Sequence, residues 1–205
     1  MIDMTVMKLA LNAQQRFVCP KCGREFAAPE LRTLDVSKDP SLKESVKDGS
    51  LFVCRCPHCG TSSLAPEPVL YHDPSAQLLI AYTSAPLSSE GLEGYTCRLV
   101  SSVGELIEKV KIFDAGLDDI ALELCKYITA QELKKEVSLK FLKMDGPDGE
   151  ITLTYPEKGE MQMLVIGYNV YSDCVGILER NPVLHEKAQG LVRVDQDWVS
   201  QFIAG

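Results

Sequence analysis

Cys19-Pro-Lys-Cys-Gly23 and Cys56-Pro-His-Cys-Gly60 repeat one five-residue pattern in a chain of 205 residues, and that repeat restricts the fold more than any other feature. In each copy the proline stiffens a turn, the second thiol follows at a reach that closes one edge of a tetrahedron, and the glycine permits a positive φ. Two such turns supply a complete four-thiolate shell from Cys19, Cys22, Cys56 and Cys59. Four protein ligands leave no open position for water or substrate, so the pattern points to a structural metal rather than a catalytic one.

Zinc is the expected ion, with iron in a rubredoxin-like arrangement as the alternative that uses the same ligands. Of eight cysteines, Cys54, Cys97, Cys125 and Cys174 are scattered through apolar segments. That spread favours metal plus free thiols over a disulfide framework, and hence a reducing compartment. Cys54 stands two residues before Cys56, where it either competes as a ligand or faces the other side of its strand. The apolar runs are far shorter than the roughly 20 residues a membrane helix needs. Residues 1–16 carry Asp3 early and Lys8 within the apolar run, unlike a secretory signal. The expected location is cytoplasmic, with no membrane association.

The formal charge is −8, with nine basic and nine acidic residues through position 75 and 12 against 20 afterwards. A nucleic-acid binder needs a basic surface to displace counterions from phosphates, and neither part has that excess. Lys21, Arg24 and Arg55 near the metal turns are the sole candidates for a weak nucleic-acid site. The acidic C-terminal part reads instead as a surface for a protein partner.

Around the turns, Thr5 to Val18 and Leu31 to Val36 read as strands. Asp39 caps a helix that begins at Pro40 and stops at Gly49, and Ser50 to Cys54 returns as a strand. Val69 to Asp73 and Gln77 to Thr83 form an antiparallel pair, and Ser84 to Gly94 is a loop or boundary. Ser102 and Glu105 make a capping box for a helix ending at Gly116, and a second helix starts near Asp118. Asp118-Asp119 is explained there by the preference of helix starts for negative charge. Thr129 and Glu132 suggest a short third helix. A three-stranded meander follows, with turns at 145–149 and 156–159. Asn169 to Arg180 is helical, His185 lies in a polar loop, Gly190 to Val194 reads as a strand, and Asp195 caps a terminal helix.

The expected fold is therefore α+β: an N-terminal zinc-ribbon-like antiparallel sheet with an inserted helix, a helical hairpin, and a C-terminal antiparallel meander with terminal helices. Residues 1–94 form the ribbon region, and 95–205 an acidic α+β region packing on it, or the two make one continuous domain.

No phosphate loop, nucleophile elbow or His-Glu-x-x-His pattern is present. Tyr71-His72-Asp73 groups three proton-carrying side chains, but on a strand His72 faces away from the other two. His58 is a spacer within the second metal turn. The chain resembles the CpXC proteins, a prokaryotic family with two Cys-Pro-x-Cys motifs. The resemblance rests on both metal turns with Phe26, Asp39-Pro-Ser-Leu42, Gly49-Ser-Leu-Phe52, Leu70-Tyr-His-Asp73, Arg98-Leu-Val100 and the stretch from Leu106 to Asp119. It implies zinc binding by Cys19, Cys22, Cys56 and Cys59, and transfers no catalytic residue. The functional expectation is a structural four-cysteine zinc site in a non-enzymatic interaction module. The alternatives are an enzyme with a cleft around Tyr71, His72 and Asp73, and a weak nucleic-acid-binding ribbon.

Overall fold

The computed structural model describes residues 16–27, 33–64, 68–83, 87 and 91–203, so the expected strand before Arg16 and the start of the Leu31 to Val36 strand lie outside the described residues. The chain divides into two compact units, residues 1–107 with 190–192 and residues 108–189 with 193–205. The fold is α+β.

In the first unit, β1 (Arg16–Val18) and β2 (Glu25–Ala27) form one short hairpin, and β4 (Val53–Arg55) and β5 (Ser62–Leu64) form another. A four-stranded sheet has the order β3 (Thr33–Asp35), β6 (Val69–Asp73), β7 (Leu78–Tyr82) and β8 (Thr96–Val100). β6 and β7 are antiparallel as expected, but β3 runs parallel to β6 and β8 parallel to β7. Parallel neighbours require crossover connections. The one from β3 to β6 carries helix α1 (Ser41–Lys47), a single 3₁₀ turn at Ser50–Phe52, and the whole second hairpin. β8 pairs within this sheet, so the strand beyond the Ser84 to Gly94 loop belongs to the first unit.

Every residue of β6 is buried, which a strand covered on both faces requires. One face holds Leu70, Leu79, Ala81 and Cys97 in an apolar cluster with Leu92. On the other face, α1 sends Lys43 Nζ to Asp73 Oδ2 at 2.8 Å. Asp39 Oδ1 accepts the Ser41 amide at 3.0 Å, as a capping side chain should, and Gly49 ends the helix at φ +76°. The 3₁₀ turn at Ser50–Phe52 replaces the first half of the expected strand and buries Phe52.

Burial by itself would raise the Asp73 pKa. The Lys43 ammonium, the Ser75 hydroxyl and the Ala76 amide outweigh it and hold the carboxyl below its ordinary value. A lowered folded-state pKa contributes stability above about pH 4 that is lost as pH falls through the folded value. Asp73→Asn is therefore expected to cost about 1–3 kcal/mol in urea unfolding at neutral pH and almost nothing at pH values where both forms are uncharged. An equal cost in acid and at neutrality would disprove the ionic account.

The second unit contains most of α2 (Val103–Asp114), α3 (Asp119–Leu133), the meander β9 (Lys140–Asp145), β10 (Glu150–Glu157) and β11 (Glu160–Ile166), and helices α4 (Tyr168–Arg180), α5 (Val183–Lys187) and α6 (Gln196–Ile203). Ser102 Oγ accepts the Glu105 amide at 3.1 Å, while the Glu105 carboxylate reaches Ser101. Asp118 caps α3 through the Ala121 amide, and Asp195 caps α6 through the Trp198 amide, both at 2.8 Å. The expected third helix at Thr129 is part of α3: its hydroxyl donates to the Cys125 carbonyl one turn back at 2.7 Å. Gly190 to Val194 supplies a single bridge, Arg98 with Val192, instead of a strand. His185 sits in α5, not in a loop, with Nε2 3.0 Å from Asp118 Oδ2.

Candidate metal centre

Each metal turn is closed by its own backbone. In the first, Gly23 N donates to Cys19 O at 2.9 Å and Cys19 N to Arg24 O at 3.0 Å. In the second, Gly60 N donates to Cys56 O and Cys56 N to Thr61 O, both at 2.9 Å. Gly23 and Gly60 have φ of +67° and +73°, the left-handed conformation that glycine adopts without strain. The β1–β2 and β4–β5 hairpins carry these turns at their tips, since Val18 pairs with Glu25 and Arg55 with Ser62.

The two tips bring the four thiols together. Cys19 Sγ lies 3.6 Å from Cys59 Sγ, and Cys22 Sγ 3.7 Å from Cys56 Sγ; all four sulfurs are within 4.8 Å of one another. Metal–sulfur bonds of about 2.3 Å in a tetrahedron require sulfur–sulfur edges of about 3.8 Å, so the cage has the size of a metal-thiolate centre. Cys19 and Cys56 are buried, whereas Cys22 and Cys59 face solvent. The first cysteine of each turn is the inner thiol and the second the outer.

Backbone dipoles already favour thiolates here. The amides of Cys22 and Lys21 are directed at Cys19 Sγ and lower its pKa. The Thr61 hydroxyl and amide pull Cys59 down to about 6. The Arg24 amide lowers Cys22, but desolvation and the three neighbouring thiols outweigh it and push that thiol up to about 11. The opposed shifts of Cys19, Cys22 and Cys59 reflect mutual repulsion between closely spaced thiolates. A cation at their centre removes that repulsion and releases the remaining protons.

Cys54 is not part of the cage. It is buried, and its thiol donates to the Ser63 carbonyl across the β4–β5 hairpin at 3.3 Å. Cys54 is the central residue of β4, whereas Cys56 lies beyond the strand's end and within the cluster of four thiols. Cys54→Ala is expected to retain metal stoichiometrically, whereas Cys56→Ser loses it; loss in both would return Cys54 to the ligand set. Thr61 is a contributor that the motif pattern alone did not single out, although a hydroxyl directly after Cys-x-x-Cys-Gly is visible in the sequence.

The other candidate residues do not converge. His58 is exposed. His72 lies on the opposite face of β6 from Tyr71 and Asp73, with Nε2 3.4 Å from Tyr95 Oη and Nδ1 3.7 Å from Asp35 Oδ1. Asp73 is engaged by Lys43 and Ser75. Of the basic trio, Arg55 Nε donates to Gly60 O at 3.2 Å and braces the second turn, while Lys21 and Arg24 are exposed. Asp119 is buried against Lys109 Nζ at 2.8 Å, so it does more than complement a helix start.

Paired Cys-Pro-x-Cys-Gly hairpin tips that close a four-thiol cage on a mixed α+β framework define a class of small metal-binding-type folds. The family model described as CpXC protein matches residues 17–126. The chain belongs to the CpXC family. No curated protein and no solved structure matched it. Among the described residues, no helix is long and apolar enough to cross a membrane.

Proposed function

We propose that the four-cysteine cage binds zinc as a structural ion, and that the protein is a non-enzymatic interaction module acting in a reducing, cytoplasmic compartment. The observation that supports this most is the closed shell: four thiols within 4.8 Å fill every position of a tetrahedron. The location of the second hairpin gives the ion a task. That hairpin lies inside the crossover from β3 to β6, and the metal ties it to the hairpin before β3. One ion thus clips a connection much longer than the usual four to six residues.

The protein partner is assigned to the acidic second unit, where Asp145, Asp148 and Glu150 are exposed at the β9–β10 turn and a basic surface would find its complement. Metal analysis tests the central reading. Protein purified from its own cells is expected to hold one zinc per chain and to lack visible absorption. A red chromophore would identify iron, and absence of any metal would refute the structural role. For the surface, capture by wild type is expected to exceed capture by a variant with lysine at those three positions, at low salt and less so at high salt.

A further inference from the structure

β11 is the last strand in its sheet, and among the described residues it pairs with β10 alone. Its outward face is apolar: Met161, Met163 and Val165 are 64%, 72% and 55% exposed. Natural sheets guard such an edge with lysine, proline or a bulge. β11 has none of these, and the one irregularity of the meander lies between β9 and β10. The sequence from Met161 to Ser172 contains no charged residue, although 24% of the chain is charged.

We propose that the free edge of β11 pairs antiparallel with β11 of a second copy of this chain, about a two-fold axis at Met163. The row itself names the occupant. Met161-x-Met163-x-Val165 is symmetric about its centre, so the axis sets Met163 against itself and Met161 against Val165 of the other copy. Six apolar side chains then form one continuous row on a single face of a six-stranded sheet, an isologous contact. Charge permits the approach. In an acidic protein two copies repel, but the sole acid of the strand, Glu160, falls opposite Ile166. The two Glu160 side chains sit about 20 Å apart along the strands, beyond the screening length of about 8 Å.

Sedimentation of the full-length, metal-loaded protein over a dilution series tests the pairing. The wild type is expected to be a reversible dimer. Met163→Lys puts two ammonium groups directly opposite each other and is expected to raise the dimer dissociation constant at least about tenfold. Met161→Lys meets an apolar neighbour and should have a smaller effect. Met163→Cys supplies an independent readout, because directly opposed residues lie about 4.5–5.5 Å apart, within disulfide range. Under mild oxidation it is expected to give a covalent dimer, while Met161→Cys and the wild type do not. A wild type that stays monomeric throughout, or a dimer indifferent to Met163→Lys with no cross-link at position 163, overturns the proposal.

Discussion

Removal of the metal is expected to abolish both short hairpins, giving a loss of amide dispersion confined at first to residues 16–27 and 53–64. Each hairpin consists of three-residue strands, and a two-stranded ribbon of that length is not stable alone. Three of their apolar side chains, Val18, Val53 and Leu64, are about half exposed. Structural zinc contributes about 10–16 kcal/mol in small zinc domains, against a net stability of about 5–15 kcal/mol for a whole domain. Cys56→Ser is expected to reduce metal affinity by more than the roughly 10–100-fold that altering an outer-shell partner costs, and Thr61→Val by an amount within that range. If chelated protein kept its dispersion in both segments, the cage would be an accessory to the fold and not its clip.

Lys126→Met is expected to destabilise the second unit by about 3–5 kcal/mol. The Lys126 ammonium is buried and meets Glu108 Oε1 and Glu123 Oε2, both at 2.8 Å. Lys109 lies beside it in the same array, 2.8 Å from Asp119 Oδ2 and 3.2 Å from Glu123 Oε1. Glu108 also accepts the Phe141 amide at 2.7 Å and lies 3.4 Å from Lys140. Burial would lower the lysine pKa, yet Glu123 and Glu108 raise it above the ordinary lysine value. Burial would likewise raise Glu108, and Lys126 with Lys140 pull it down. The Lys126–Glu108 pair is thus charged throughout the neutral range. Its stability is lost in acid below about pH 4 as Glu108 protonates, and in alkali only above about pH 10, where lysines discharge.

Removing Lys126 leaves two buried carboxylates short of a counter-charge, and that isolation, more than the lost contact, sets the cost. Combining it with Glu108→Gln, which keeps an acceptor for the Phe141 amide, is expected to recover part of the loss. Strict additivity of the two substitutions in urea unfolding would sink the network account, because residues in one ionic array must couple.

The difference between what could be read beforehand and what could not follows the range of the interactions. Both metal turns, the caps at Ser102, Asp118 and Asp195, the stop at Gly116 and the meander rest on bonds between residues a few positions apart. Their residue types were sufficient evidence. All four clustered cysteines belong to this class, since each Cys-x-x-Cys turn organises two thiols locally.

Elements decided by distant partners were not legible in the same way. Leu31 to Val36 and Thr96 to Val100 carry strand-forming residues, but nothing in them specifies parallel pairing with β6 and β7. That choice depends on which sheet edges remain free once β6 and β7 have paired. Gly190 to Val194 has strand-like content and finds a single bridging partner, so it stays irregular. Thr129 imitates a cap, but its turn is continuous with α3, and the hydroxyl falls back on the preceding carbonyl. Asp119, Glu123 and Lys126 look like ordinary surface charges of an amphipathic helix. They are buried because α2 and β9 bring Lys109, Glu108 and Lys140 against them.

Local chemistry in the sequence therefore specified the two turns that carry the four clustered cysteines, and most helix boundaries. Tertiary structure alone decided the strand order, the burial of the ionic array and the open edge of β11. Turn and cap bonds close within a few residues, whereas strand pairing and burial are settled by competition among segments far apart in the chain.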